Sequence, residues 1–188
     1  MTSDRVSAAL LASADETLVA RCVAGDTAAF AVLVRRHSPL LRVLITRIVG
    51  SATEADDVVQ DSFVIAWREM ANLRDGSAVR AWLVRICTRQ AYALLRKRPA
   101  DLELAVSEAA PATAGQPETQ AVRNAQLRAL ALALDQLPTD QRQAWLLREA
   151  GGLDYAEIGE LMEIPASAVR GKLARARANI VIRMEAWR

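Results

Sequence analysis

Three observations predict an all-α protein. Ala, Leu and Val dominate a chain that is 52% hydrophobic but only 4% aromatic, too few rings for a sandwich or barrel. Val and Ile do not alternate with polar residues as strands require, and apolar residues recur instead at helical spacing. Cap and turn residues then cut the chain into segments of helix length. The 188 residues suffice for one domain or two small ones.

Residues 1 to about 15 are small and weakly patterned, a tail expected to fray. A first helix is predicted from about Glu16 to Ala24, ended by Gly25 as its cap. Asp26 or Thr27 caps the next, which carries Phe30, Leu33 and Val34 on one face. Pro39 is expected to kink this helix or restart it after Ser38, because it lacks an N–H and its ring crowds the preceding turn. Leu41, Leu44, Ile45 and Ile48 continue a buried stripe to Gly50. The next helix, from about Glu54 to Met70, has two faces. Ala55, Val58, Val59, Ser62, Phe63, Ala66, Trp67 and Met70 form an inner stripe, while Asp56, Asp57, Gln60 and Asp61 cluster on one exposed edge.

Asn72–Ala78 is a short polar loop with the turn signal Asp75-Gly76. A helix from about Val79 to Arg98 follows, ended by Pro99. Trp82, Leu83, Ile86, Leu94 and Leu95 give its apolar side, and Arg85, Arg89, Tyr92 and Arg96 share another. Such a row of guanidiniums extends over roughly 16 Å, enough to meet several phosphates along a strand. The stretch 99–117 is rich in Ala, Glu, Pro, Thr and Gly without helical periodicity, a flexible linker between a first domain, 16–98, and a second, 118–188.

In the second domain one helix ends near Leu137, and Pro138-Thr139 restart the chain into a helix to about Ala150, stopped by Gly151-Gly152. Asp154 with Glu157 makes a capping box, and Leu153 and Ile158 occupy the hydrophobic-staple positions, so a helix starts at Tyr155. It breaks at Glu163-Ile164-Pro165, and another opens near Ser167 with Val169, Leu173, Ala176 and Ile180 inside. Two helices joined by so short a turn, the second basic, form a helix-turn-helix pattern.

Net charge is only +2, but its distribution is uneven. Ser77 to Arg98 holds six bases (Arg80, Arg85, Arg89, Arg96, Lys97, Arg98) and no acid. Pro99 to Val122 holds four acids and no base, and Ala166 to Arg188 holds six bases against Glu185. Two basic lobes joined by an acidic strap suit nucleic acid. Cys22 and Cys87 lack metal-ligand spacing and fall in apolar helical patterns, which makes them reduced, buried thiols. His37 is the single histidine, leaving no basis for a zinc site or a histidine-based triad. No apolar run reaches membrane-spanning length and no basic-then-apolar leader opens the chain, so a cytoplasmic protein is expected.

The DDVVQDSF stretch from Asp56 to Phe63, the basic helix after it and the C-terminal helix-turn-helix together resemble the extracytoplasmic-function sigma factors. These are the smallest promoter-recognising subunits of bacterial RNA polymerase. The resemblance runs from about Leu18 to Arg183. It implies two helical domains, a region 2 bundle and a region 4 helix-turn-helix, with no cofactor and no catalysis of their own. It implies docking of core RNA polymerase on Asp56, Asp57, Gln60 and Asp61. The −10 promoter element would meet Asn72 and its loop together with Arg80, Arg85, Arg89 and Arg96, and Trp82 is either core or a stacking platform. The −35 element would meet Ser167, Arg170, Lys172, Arg175 and Arg177, with Arg170 suited to a guanine edge and Arg175 and Arg177 to phosphates. The linker would thread the polymerase cleft, and an anti-sigma factor would mask both domains.

The chain departs from the family pattern at four positions. Many members carry Asn where Gln90 stands, Asp where Ala93 stands, and Thr and Ser where Ala168 and Gly171 stand. The last two losses remove hydroxyls that serve phosphates or bases, and Gly171 weakens its helix by about 1 kcal/mol relative to Ala. A stand-alone helix-turn-helix regulator is the alternative reading. It would need a dimerisation surface for paired half-sites, and no heptad repeat or sensor domain is visible. A small helical hydrolase is disfavoured, with one histidine, no metal spacing and no Gly-rich phosphate loop.

Overall fold

The structure, a computed structural model, describes residues 10–98 and 117–185, with backbone only for 117–124. The chain divides into two compact units between residues 106 and 107. The linker expected over 99–117 lies outside the described residues except for Pro117, as do the first nine residues of the expected tail. Among the described residues there is no strand.

The first unit holds helices α1 (Asp15–Val23), α2 (Thr27–Val49), α3 (Ala52–Glu69) and α4 (Val79–Lys97). Single 3₁₀ turns at Met70–Asn72 and Gly76–Ala78 join the last two. Helices α2, α3 and α4 pack pairwise around a core that includes Leu33, Leu41, Leu44, Ile45, Ile48 and Leu83, all essentially solvent-free. Asp26 caps α2 by accepting from the Ala28 and Ala29 N–H groups at 2.9 and 3.1 Å. Gly50 ends α2 at φ 81°, a left-handed conformation that glycine adopts without a Cβ penalty.

Of the two outcomes expected at Pro39, a kink or a restart, the restart does not occur: α2 is continuous from Thr27 to Val49. Pro39 sits on the exposed face, while Leu33 and His37 before it and Leu41 and Leu44 after it are buried. One hydrogen bond is lost, and the apolar stripe that continues on both sides outweighs it.

The end of the expected tail is tied down. Leu10 is buried, and Arg36 on α2 donates to the Leu11 and Ser13 carbonyls at 3.0 and 2.9 Å. The Asp15 carboxylate takes Arg36 and the buried His37 Nε2, the latter at 2.9 Å. Helix α1 also lies against the two 3₁₀ turns. A Cβ built on Gly76 would stand 3.0 Å from Glu16 Cα and 3.3 Å from Val19 Cβ, so the missing side chain permits that approach.

The second unit holds α5 (Pro117–Asp135), α6 (Thr139–Trp145), α7 (Tyr155–Met162) and α8 (Ala166–Arg183). A five-residue π turn, Leu146–Ala150, extends α6. The predicted capping box is present: Glu157 N–H donates to Asp154 Oδ1, and Asp154 N–H donates to Glu157 Oε2, both at 2.8 Å. Leu153 and Ile158 are fully buried at the staple positions. Between α7 and α8 the turn passes over Gly159, whose carbonyl accepts from Ile164 N–H at 2.9 Å. Glu163 supplies the reversal at φ 56°. Val169, Leu173, Ala176 and Ile180 of α8 face inward as expected.

An added Cβ at Gly159 would meet the Ile164 carbonyl oxygen at 2.7 Å, and backbone cannot swing aside as a side chain does. Gly159→Ala should therefore destabilise the second unit by about 1–3 kcal/mol, read as a lower urea midpoint. His37 gives the first unit a pH dependence. Burial pushes its imidazole pKa below the ordinary value, more than neighbouring Asp15 raises it. The unfolded chain then binds the proton more readily, so this contribution is complete above about pH 6.5 and is lost as pH falls below it. Urea unfolding at pH 7.5 and 5.5 should show a smaller acid loss for His37→Gln than for wild type.

Candidate functional site

The acidic edge of α3 is divided by its neighbours. Successive residues on a helix are about 100° apart, so the i, i+4 pairs Asp56/Gln60 and Asp57/Asp61 form adjacent rows. Asp56 and Gln60 border a groove of about 540 Å³ between α2 and α3. Its floor and walls are apolar: Phe30, Val34, Val59, Phe63, Val64 and Trp67. The Phe30 ring meets Trp67 at 4.9 Å and stands edge-on to Phe63 at 6.1 Å. Arg42 closes one end by pairing with Asp56 at 2.6 Å, an exposed ion pair of small energetic weight.

Asp57 and Asp61 line a different, smaller groove of about 230 Å³ between α3 and α4. Val58, Leu94 and Lys97 line it as well, and so do Gln90 and Ala93, two of the four departures from the family pattern. Both carboxylates are exposed and without an ion pair among the described residues. Glu54, one turn earlier, is already engaged by Arg98. The sequence treated the four residues as one patch. The structure brings Asp57 and Asp61 together and assigns Asp56 and Gln60 to the apolar groove.

On α4, Arg80, Arg89 and Arg96 are exposed and Arg85 is half-buried. The inner stripe is Val79, Leu83, Val84, Cys87, Thr88 and Ala91. That differs from the expected apolar side: Trp82, Ile86, Leu94 and Leu95 are only half-buried, and the Tyr92 ring is packed so that burial raises its phenol pKa. In the preceding loop Asn72 and Arg74 are exposed. Asp75 accepts from the Ser77 hydroxyl at 2.6 Å and the Ser77 N–H at 2.9 Å, and these bonds hold its carboxyl below the usual pKa.

Helix α8 presents Ser167, Arg170 and Arg175 to solvent, with Ala174 and Ala178 between and after them. Arg175 folds back along the helix, its guanidinium lying where a side chain at Gly171 would begin, 3.5 Å from an added Cβ. Lys172 is half-buried and Arg177 exposed, and each is paired with a carboxylate on the body of the unit. Lys172 pairs with Asp140 of α6 and holds that carboxyl below its usual pKa. Arg177 pairs with Glu149 at 2.7 Å, and this bond, helped by Tyr155, raises its pKa. Tyr155 also lies under two further guanidiniums, Arg148 at 5.2 Å and Arg170 at 5.7 Å from the ring centroid.

Among the described residues no three His, Cys, Asp or Glu side chains gather as a metal site, and no helix is long and apolar enough to cross a membrane. Cys22 and Cys87 are free and buried, and burial pushes both thiols up to about 11.

Comparison with known proteins assigns both units. Residues 33–99 match Sigma-70 region 2, and residues 127–180 match Sigma-70 region 4. The RNA polymerase sigma-H factor of Pseudomonas aeruginosa is 35% identical over 88% of this chain and 91% of its own length. The chain is an extracytoplasmic-function sigma factor. The sigma-E factor of Haemophilus influenzae is 34% identical over 88% of this chain and 93% of its own. Among solved structures, CnrH bound to the cytosolic domain of CnrY superposes with a TM-score of 0.57 at 28% identity, covering 93% of this chain and 99% of that one. RpoE of Bartonella quintana bound to the anti-sigma factor NepR gives 0.60 at 25% identity over 85% and 98%. As a member of this family the chain is a transcription-initiation factor that directs RNA polymerase to promoters.

Sequence reading missed the apolar groove and Tyr155. The groove was foreshadowed by Phe30 and Val34 on α2 and by Val59, Phe63 and Trp67 on α3, a stripe too wide for one helix contact. Tyr155 carried no signal beyond its place after the cap.

Proposed function

We propose that the first domain, 16–98, docks on core RNA polymerase through Asp56, Asp57, Gln60 and Asp61 and reads the −10 element through Asn72, Arg80, Arg85, Arg89 and Arg96. The stretch 99–117 links it to the second domain, 118–188, which reads the −35 element through α8. The factor works in the cytoplasm, catalyses nothing itself and is restrained by an anti-sigma factor. The partners named for CnrH and for the Bartonella RpoE support that last element.

One observation carries the polymerase reading: Asp57 and Asp61, exposed, unpaired and four residues apart, on a unit that is otherwise basic toward DNA. Phosphates would repel that row, whereas arginines of a protein partner would be drawn to it. Beside it, the groove rimmed by Asp56 and Gln60 offers apolar area to the same partner. For the −35 element, Arg170 and Arg175 are available first, having no carboxylate partner among the described residues. Lys172 and Arg177 reach phosphates by exchanging Asp140 and Glu149. Ser167 stands at the start of α8, where side chains reach base edges.

Asp57→Arg with Asp61→Arg should leave folding within about 0.5 kcal/mol, since neither side chain is buried or paired. Association with core polymerase should weaken at least about tenfold, measured by competition against wild type. A folded double mutant that assembles normally would remove the docking assignment. In DNA binding by the holoenzyme, Arg170→Ala should cost about 1–3 kcal/mol and relax preference at one −35 base pair. Arg89→Ala should flatten the salt dependence by about one phosphate contact without changing sequence preference.

A further inference from the structure

Tyr155 is the first residue of α7 and lies outside the base-reading helix, yet arginines from three parts of the second unit converge on it. Arg148 comes from the π turn after α6, Arg170 from the exposed face of α8, and Arg177 from the next part of α8. A phenol ring attracts guanidiniums through the negative charge of its π face. The ring's own place is fixed without Arg170. The Asp154–Glu157 capping box sets the start of α7, and Arg148 donates to the Leu153 carbonyl at 2.7 Å. Tyr155 itself is only half-buried, and α7 packs through Ile158, Gly159 and Leu161 instead. The ring therefore contributes little to the core of the unit.

Arg170 has the opposite situation. It is exposed, and among the described residues the Tyr155 ring is its partner. A free arginine samples many rotamers, and a bidentate contact to a base must select one of them on binding. We propose that Tyr155 is a positioning residue for Arg170: its ring holds the guanidinium in a restricted orientation before DNA arrives, and so sets base preference more than overall affinity. This rests on the reading of Arg170 as a −35 base contact.

The test uses holoenzyme reconstituted from core polymerase and the full chain, selecting promoters from a duplex library randomised across the −35 segment. Four chains are compared: wild type, Tyr155→Phe, Tyr155→Leu and Arg170→Ala. Arg170→Ala should erase preference at one base pair. Tyr155→Leu should weaken preference at that same pair by about two- to fivefold, the range expected for an exposed cation–π contact, with other positions and the salt slope unchanged. Tyr155→Phe keeps the ring and should match wild type. Full preference in Tyr155→Leu, or an equal loss at every position, overturns the proposal. If Arg170→Ala itself changes no preference, the base-contact reading fails and takes the proposal with it. Should Tyr155→Leu not fold, the wild-type chain still decides: ring-current upfield shifts of the Arg170 side-chain protons are expected by NMR, and their absence overturns the proposal.

Discussion

Helices α2, α3 and α4 pack pairwise, and the cover this gives α3 along two flanks decides what it shows to solvent. A helix buried along two flanks has only a narrow strip left for solvent. In α3 that strip holds two rows of polar side chains, and each row becomes the rim of a different groove. Asp56 and Gln60 border aromatic and aliphatic side chains of α2, whereas Asp57 and Asp61 border the end of α4. The same packing leaves the outer face of α4 to arginine. An acidic surface and a basic surface thus arise on neighbouring helices because each has one flank to spare.

The second unit solves a different problem with less material. A helix-turn-helix must bring two short helices close while leaving one face of the second fully open. Gly159 lets the turn backbone pass over α7, and Glu163 makes the reversal in a conformation that few side chains favour. Small residues then cover the open face of α8 around Arg170 and Arg175. The buried stripe of Val169, Leu173, Ala176 and Ile180 sets the register of α8, and the ion pairs from Lys172 to α6 and from Arg177 to the π turn leave part of its positive charge committed before any DNA is present.

Much of this was legible in the sequence. The helix order, the capping box at Asp154 and Glu157, the inner stripe of α8 and the two-unit organisation all follow from periodicity and cap chemistry, which are local. Pro39 does not restart its helix, one of the two outcomes the local rule offered, because long-range burial of Leu33, Leu41 and Leu44 carries the helix through. The acidic row was read as one patch because helical geometry gives the angle between residues but not which neighbour each will face. Tyr155 escaped notice for the same reason: its arginines come from residues 148, 170 and 177, and no single-helix spacing brings them together. The departures at Gln90 and Ala93 gained meaning only once α4 was seen to share a groove with Asp57 and Asp61.

The seat of Gly76 on α1 bears on the order in which the molecule assembles. Helices α2 and α3 adjoin in sequence, and so do α7 and α8, so their contacts close short loops and form early. The contact between residues 16 and 76 spans the whole first unit, and its closing entropy is recovered only after α2, α3 and α4 have met. The loop before α4 therefore takes its final shape only on meeting α1, a helix already held on α2 across a short connection. The shape of that loop thus depends on a helix far from it in sequence, so a change on the buried face of α1 would be felt at the start of α4.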